Sequence, residues 1–484
     1  MSILVVDVGT SGVRAAIVDP DATIRLDVRQ ETLPDSPMAG LVEFDASVMA
    51  DAVLDTAAEA VTRAGDVTAV GIATQRASTI VWDRATGEPV APALGWQDLR
   101  TVGECLALQA DGIRLAPNQS ATKLAHLLDL TDPSRERDLA FGTVDTWVAW
   151  VLSEGACHVT DASNAAITGL TASPTGDASP DWDPGMLERL NIPASVLPTI
   201  VDSSGVVSLA TALPGAPPIA GMAGDQQSSL IGQGCVLPGL AKVTFGTGGM
   251  LDVCVGPDRP TFDVQGGAGC FPIVAWRDGA GTTWGVEAIM LAAGTNVEWL
   301  RDDLGLIATP AESHDLASSV PDADGVVYVP APLGLGTPRW DFGARGTLLG
   351  LTRGSTAAHV VRAVLEGVAE RGADLAEAAA ADTGNPLDTL RVDGGMSANP
   401  TFVQALADAT QRPIELSPVT EATTLGAGYL AGLATGVWSG WDEVAASWQP
   451  RAVIEPGPAT DRDRWASALD RSAGWFEDLT ALSF

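Results

Sequence analysis

Apolar positions in this chain fall into short continuous runs that alternate with longer runs of helical period. Residues 3–8 and 13–19 are rich in strand-forming apolar residues, and only Gly9-Thr10-Ser11-Gly12 separates them. That arrangement predicts two strands joined by a hairpin turn. The figure returns mid-chain, where residues 242–244 and 250–255 read as strands around Gly246-Thr247-Gly248-Gly249. A strand, a G-T-x-G turn and a second strand, repeated at the spacing of a domain, point to duplicated lobes rather than a short-period solenoid. Two matching turns are also compatible with coincidence.

The remaining pattern predicts helices over 45–63 and 121–130, strands over 67–73 and 79–82, and a strand at 219–223 after the Pro/Gly-rich stretch 213–218. The second half predicts a long Ala-rich helix at 357–381, a strand at 390–392 and a helix at 399–410. Such alternation means α/β layers. A chain of 484 residues exceeds one typical core. Gly and Pro thicken near 234–239, so the expected lobes are 1–235 and 236–484. Past residue 438 the pattern weakens, and terminal surface helices are expected.

Composition narrows the function classes. Hydrophobic residues make up 46% and charged residues 18%, which supports packed domains rather than disorder. The formal net charge is −34, and Lys123 and Lys242 are the only lysines. A nucleic-acid binder needs clustered cations, so that class is excluded; the acidic excess reads as a solvated surface. Cys105, Cys157, Cys235, Cys254 and Cys270 are odd in number and contain no C-x-x-C pair, which argues against a disulfide framework or a zinc site. The start MSILVVDVG lacks a signal-peptide pattern, and no run of about 18 apolar residues occurs. A cytoplasmic protein without membrane insertion is expected.

Four segments could carry chemistry. Asp7 precedes the Gly9–Gly12 turn, whose backbone and hydroxyls could reach a phosphate while the carboxylate holds Mg²⁺. An ordinary hairpin capped by Asp fits equally. Asp225 lies between a strand and a predicted helix in AGDQQ, where it could serve as a general base or simply as a helix N-cap. Val392-Asp393-Gly394-Gly395 ends a strand and leads to a helix near Asn399; this is either a close backbone approach to a nucleotide or a loop needing positive φ. Finally, Gln75-Arg76 and Trp96-Gln97-Asp98 offer a donor fork and an apolar wall suited to a polyol.

In order along the chain stand DVGTSGVR (7–14), TQR, GWQDLRT, FGTVDTWVAW (141–150), AGDQQSSLIGQ, KVTFGTGGM, WLRDDLGLI, GLGTPRWDFGARGTLLGLTRG and RVDGGMSANP. His359, Ala363 and Glu366 fit a C-terminal signature over 346–366. With these the chain resembles the FGGY carbohydrate kinases, most closely the glycerol kinases, from residue 3 to about 437. The resemblance implies an α/β fold of two actin/hexokinase-like (ribonuclease H-like) lobes with a cleft between them, ATP and Mg²⁺ as cofactors, and phosphorylation of a small polyol or sugar. It implies Asp225 as the base, and Asp7 with Asp225 at the metal. Thr10, Ser11, Gly12, Arg14, Thr247, Gly248, Gly294, Glu298, Gly395 and Asn399 would meet the nucleotide. Arg76, Ala77, Trp96, Asn118, Asp225, Gln226 and Met250 would meet the acceptor. A homodimer or homotetramer is left open, and no nucleic-acid partner is expected.

Departures from the pattern bear on the acceptor. Glycerol kinases usually carry Glu where this chain has Ala77, Tyr where it has Asn118 and Phe where it has Met250. These swaps predict a roomier site, which brings in a four- or five-carbon polyol or ketose such as erythritol, ribulose or xylulose as an alternative to glycerol. His126 stands where Trp is common in the N-terminal signature. Residues 211–218 lack the Gly-rich, Arg-containing loop with which some glycerol kinases bind a sugar-bisphosphate inhibitor. Two other classes compete: a non-catalytic sugar sensor, which would usually carry a basic helix-turn-helix that is not visible here, and a chaperone-like ATPase, which would not need the Arg76–Trp96–Asp225 set.

Overall fold

The computed structural model describes residues 2–172 and 180–482. The first lobe is built on a six-stranded sheet of β1 (Ser2–Val8), β2 (Gly12–Val18), β3 (Ile24–Glu31), β4 (Val67–Thr74), β5 (Ser204–Leu209) and β6 (Pro218–Gly224), in the order β5-β6-β4-β1-β2-β3. The second holds a seven-stranded sheet of β7 (Ala241–Phe245), β8 (Gly249–Gly256), β9 (Phe271–Asp278), β10 (Gly281–Met290), β11 (Leu390–Asp393), β12 (Ile414–Leu416) and β13 (Ala452–Ile454). Its order is β9-β10-β8-β7-β11-β12-β13.

Five strands of each sheet match in order and polarity. In β6-β4-β1-β2-β3 the first two pairings are parallel and the last two antiparallel. In β12-β11-β7-β8-β10 the same sequence of pairings recurs. The repeated hairpin expected from sequence is thus one corner of a repeated five-stranded unit. Strands β1 and β4 are buried on both faces, as parallel strands covered by helices must be.

The helices that cover these sheets or border the cleft include α1 (Ala46–Ala64), α2 (Ser120–Thr131), α3 (Asp225–Gly232), α4 (Thr295–Asp302), α5 (Ala357–Thr383), α6 (Pro400–Thr410), α7 (Ala422–Thr435) and α8 (Arg462–Ser472). Helix α1 begins where the Asp45 carboxylate accepts from Ser47 N and ends at Gly65 with φ of 75°. No helix among the described residues is long and apolar enough to cross a membrane.

One core crosses the lobes. Helix α7 belongs to the second half of the chain, yet its Leu425, Ala427 and Leu430 pack with Ile3, Val5, Ala73 and Leu230 of the first. It lies so close to that lobe that a methyl on Gly71 or Gly221 would overlap its backbone. The C-terminal expectation needs correction. Residues 452–454 form the edge strand β13, and α8 buries Trp465 with its indole nitrogen 3.1 Å from the Asp374 carboxylate. This part is therefore built into the second lobe and does not merely lie on its surface. A three-residue strand and one buried Trp are too short a signal for periodicity to reveal.

His158 sits among Trp82 and Trp150 and is held neutral. Arg84 Nη1 donates to its Nδ1 at 3.0 Å, and its Nε2 is 2.7 Å from the Phe141 carbonyl. Burial, aided by Arg84, lowers its pKa to about 4. Because this value lies below that of the unfolded chain, stability is full above about pH 6.5 and falls as pH drops toward 4, by up to about 3 kcal/mol. His158→Gln should flatten that acid limb in urea titrations run from pH 7 to 4.

Candidate functional site between the lobes

The site starts where β6 stops. Gly224 occupies the cap position of α3, and Asp225 is the first helical residue, its Oδ1 accepting from Gln226 N at 2.8 Å. Asp225 is therefore not the N-cap that one sequence reading allowed. About 35% of its side-chain surface remains open to the cleft. A β-carbon on Gly224 would sit 2.7 Å from Gln227 Oε1 and 2.8 Å from Cγ and Cδ of Arg76, so glycine lets the Arg76 side chain pass close to the strand end.

Arg76 arrives from the other strand end. Gln75 extends the β4 pairing through its N–H to Val8 O at 2.8 Å, which delivers Arg76 across Gly224. Its Nε lies 3.4 Å from Asp225 Oδ1, and its Nη2 lies 2.8 Å from Glu287 Oε2. Its Nη1 is buried with no hydrogen-bond partner among the described residues. Leaving such a donor unpaired costs about 1–3 kcal/mol, which a ligand oxygen would recover.

Under this pair runs a row of charges that the sequence reading missed. Lys242 on β7 stands opposite Asp252 on β8, which stands opposite Glu287 on β10. Lys242 Nζ is 2.8 Å from Asp252 Oδ2 and donates to Gln226 Oε1 at 2.7 Å and to Thr244 Oγ1 at 3.1 Å. Lys242 and Asp252 are both fully buried. The available signal was three charged residues inside otherwise apolar strands, since such charges are rarely buried unless paired. Burial raises the pKa of Asp225 against the lowering pull of Arg76. Burial also pushes Glu287 up to about 7, with Arg76 opposing and Asp252 adding to the rise.

Trp96 and Asn118 are fastened from behind. The Trp96 indole donates to Thr10 Oγ1 at 3.2 Å, and Lys123 Nζ donates to the carbonyls of Trp96 and Asn118 at 3.1 and 3.4 Å. Burial lowers the Lys123 pKa to about 7. The three departures behave differently. Ala77 is only 3% exposed, has φ of 60° and accepts from Ser120 Oγ at 3.0 Å, so its methyl opens no space. Asn118 is exposed and Met250 half-buried, so any added room lies there. A cavity of about 350 Å³ is lined by Thr10, Gln75 and Gln97 and by neither Asn118 nor Met250. A larger one, about 720 Å³, lies around His314, Arg362 and Arg464 and is lined by none of the predicted site residues.

The phosphate side is assembled from both hairpins. Asp7 and Arg14 are opposite one another on β1 and β2, and Arg14 is ion-paired with Asp27 and Glu421. Its guanidinium is thus engaged within the protein. Burial raises the Asp7 pKa to about 7; Arg14 lowers it, while Asp225 and Glu421 raise it. Two carboxylates that repel each other in this way suit a hard divalent cation with oxygen ligands, so the donors present fit Mg²⁺. Ser11 and Thr247 are exposed, and a β-carbon on Gly12 would meet Gln30 O at 2.8 Å. A β-carbon on Gly248 would meet Met290 O at 2.9 Å, and Gly294 donates to Gly246 O at 2.8 Å. Glu298 is exposed on α4, and Gly395 faces open space. The Asn399 side chain is already occupied, since Oδ1 caps α6 by accepting from Phe402 N at 3.1 Å and Nδ2 donates to Ser313 Oγ at 2.9 Å. Asp393, unassigned from sequence beyond its loop, is buried with Oδ1 lacking a partner among the described residues.

Comparison with known proteins places this arrangement. Residues 2–232 match the N-terminal domain of the FGGY family of carbohydrate kinases, and residues 241–435 match its C-terminal domain. A glycerol kinase from Trichlorobacter lovleyi is 44% identical, covering 98% of this chain and 99% of its own. One from Aromatoleum aromaticum is 43% identical over 98% and 99%. The crystal structure of Plasmodium falciparum glycerol kinase with ADP superposes with a TM-score of 0.90 at 28% identity, covering 100% of this chain and 99% of that one. The two lobes are those of the actin/hexokinase-like fold. The chain belongs to the FGGY family of carbohydrate kinases and is a glycerol-kinase-like phosphotransferase with an alcohol group as acceptor.

Proposed function

We propose that the enzyme transfers the γ-phosphoryl group of ATP to a terminal hydroxyl of a small polyol, with glycerol the leading acceptor and Asp225 the general base. The observation that carries this reading is the Arg76–Asp225 pair in the cleft, where a carboxylate and an unpartnered guanidinium donor stand together. The acceptor hydroxyl attacks phosphorus, its proton passes to Asp225, and the bond to ADP breaks. Arg76 Nη1 and Gln226 orient the acceptor, and Trp96 supplies a wall for its carbon face. Thr10, Thr247 and the glycine backbones of both hairpins cradle the phosphates. Asp7 and Asp225 would hold Mg²⁺, which when bound supplies charge that neutralises the transferring group. Closure of the lobes excludes water that would otherwise hydrolyse ATP. Residues 1–235 would carry the acceptor and phosphate contacts and 236–484 the nucleotide contacts. The five free cysteines favour a reducing cytoplasm; a homodimer or homotetramer stays open as the assembly.

Exposed Asn118 and half-buried Met250 favour a second reading, a four- or five-carbon polyol or ketose. Coupled ADP release with glycerol, erythritol, xylitol, ribitol, erythrulose, ribulose and xylulose decides between them. The highest kcat/KM on glycerol makes Ala77, Asn118 and Met250 tolerated variations. A longer acceptor winning makes Asn118 and Met250 the first positions to revert. Steady ADP release without any acceptor would sink both readings in favour of an ATPase.

Regulation can be tested in the same assay. Residues 211–217 form only the tight connection between β5 and β6, where Ala210 N donates to Pro217 O at 2.9 Å. Fructose bisphosphate at physiological levels should leave the rate unchanged, and measurable inhibition would contradict this expectation.

A further inference from the structure

The acceptor-facing residues of the first lobe are anchored on the second. Arg76 follows β4, but its Nη2 rests on Glu287 of β10 at 2.8 Å. Gln226 lies in the first turn of α3, but its Oε1 accepts from Lys242 of β7 at 2.7 Å. Asp252 joins the two anchors, facing Lys242 on one side and Glu287 on the other. Like charges directly opposite on paired strands repel. The Asp252–Glu287 pair is kept by cations at its two ends, Lys242 and Arg76.

We infer that Glu287 is the positioning residue for Arg76, and that through this contact acceptor binding on the first lobe is tied to the placement of the second. The inference rests on the reading of Arg76 as an acceptor ligand. A guanidinium is a flat fork. With Nη2 held by Glu287 and Nε near Asp225, the remaining Nη1 is fixed by the other two and, buried without a partner among the described residues, is the donor left for an acceptor oxygen. Without the Glu287 charge, Asp225 is the carboxylate left at ion-pair distance from Arg76 among the described residues, and the guanidinium swings onto that group, which takes the donor away from the acceptor. The contact assigned to Glu287 is with Arg76, and its effect on the acceptor passes through that side chain.

The test is a double-mutant cycle in the full-length enzyme, with glycerol and the acceptor preferred in the panel as probes. E287Q should raise the acceptor KM by about 10–100-fold, a coupling of ordinary size for contacting charged residues, while the KM for ATP holds. E287D, which restores the charge at shorter reach, should recover part of the loss. R76A should be impaired in the acceptor KM, and adding E287Q to R76A should cost nothing further. A merely structural role for Glu287 would instead impair both substrates and add fully to R76A. An acceptor KM for E287Q within about twofold of the parent, or additive losses in the double variant, overturns the inference. If R76A leaves the acceptor KM unchanged, the underlying reading of Arg76 fails instead. Should E287Q fail to fold by circular dichroism, E287D carries the cycle: a rise in acceptor KM alone that vanishes in the R76A background supports the inference, and losses for both substrates or full additivity with R76A overturn it.

Discussion

Asp225→Asn should lower kcat by about 10²–10⁴-fold while leaving ATP affinity nearly intact. The amide keeps the shape of the carboxylate and can still accept the Gln226 N–H, so the turn into α3 survives. It cannot take a proton from the acceptor hydroxyl. The amide also removes the negative charge 3.4 Å from Arg76 Nε, which leaves Glu287 as that guanidinium's remaining carboxylate. Single-turnover measurements with saturating ATP and acceptor read the chemical step directly. Near-normal turnover in this variant would eliminate Asp225 as the base. A large fall in ATP affinity with chemistry preserved would reassign the carboxylate to the nucleotide side.

Gly232→Ala carries the second large effect, and it falls on stability. Helices α3 and α7 cross with their backbones in contact. A methyl at Gly232 would overlap the Ala422 carbonyl oxygen, and a methyl at Gly426 would overlap that of Ser228. Neither obstacle is the end of a flexible side chain; both are main chain inside helices and cannot step aside. Overpacking of this kind costs about 1–3 kcal/mol, occasionally more, and the reciprocal clash puts this site at the upper end. Urea unfolding should show the loss for either glycine. Because α3 begins at Asp225, a protein that still folds should also show a reduced kcat. An unchanged midpoint for Gly232→Ala would mean that the two helices separate more easily than their contact suggests.

Much of the fold could be read from sequence because it is locally encoded. The hairpins around Gly9–Gly12 and Gly246–Gly249, the long helix α5 and the strands leading to Asp225 and Gly394 each carry their own period and punctuation. Short elements were not legible in this way. Strand β13 has three residues, too few for a period, and it exists because β12 offers it an edge. The fate of α7 was equally hidden. Its apolar residues announce burial, but nothing local says that a helix from the second half should cover the sheet of the first.

The candidate site divides along the same line. Asp7, Thr10, Arg76, Trp96, Asp225 and the glycine loops could be named because their residue types and local turns point to chemistry, and motif order along the chain tied them to a family. What the sequence determined by itself was therefore the set of elements, the duplicated plan and the class of reaction, all of which depend on local pattern and ordered motifs. Tertiary structure alone decided which charges meet: Arg76 with Glu287, Lys242 with Gln226, Lys123 with the backbones of Trp96 and Asn118. It also decided that the Ala77 methyl is covered while Asn118 is open. The physical reason is that burial and pairing of a charge depend on residues distant in sequence, and strand register and lobe packing, which no local period encodes, set those distances.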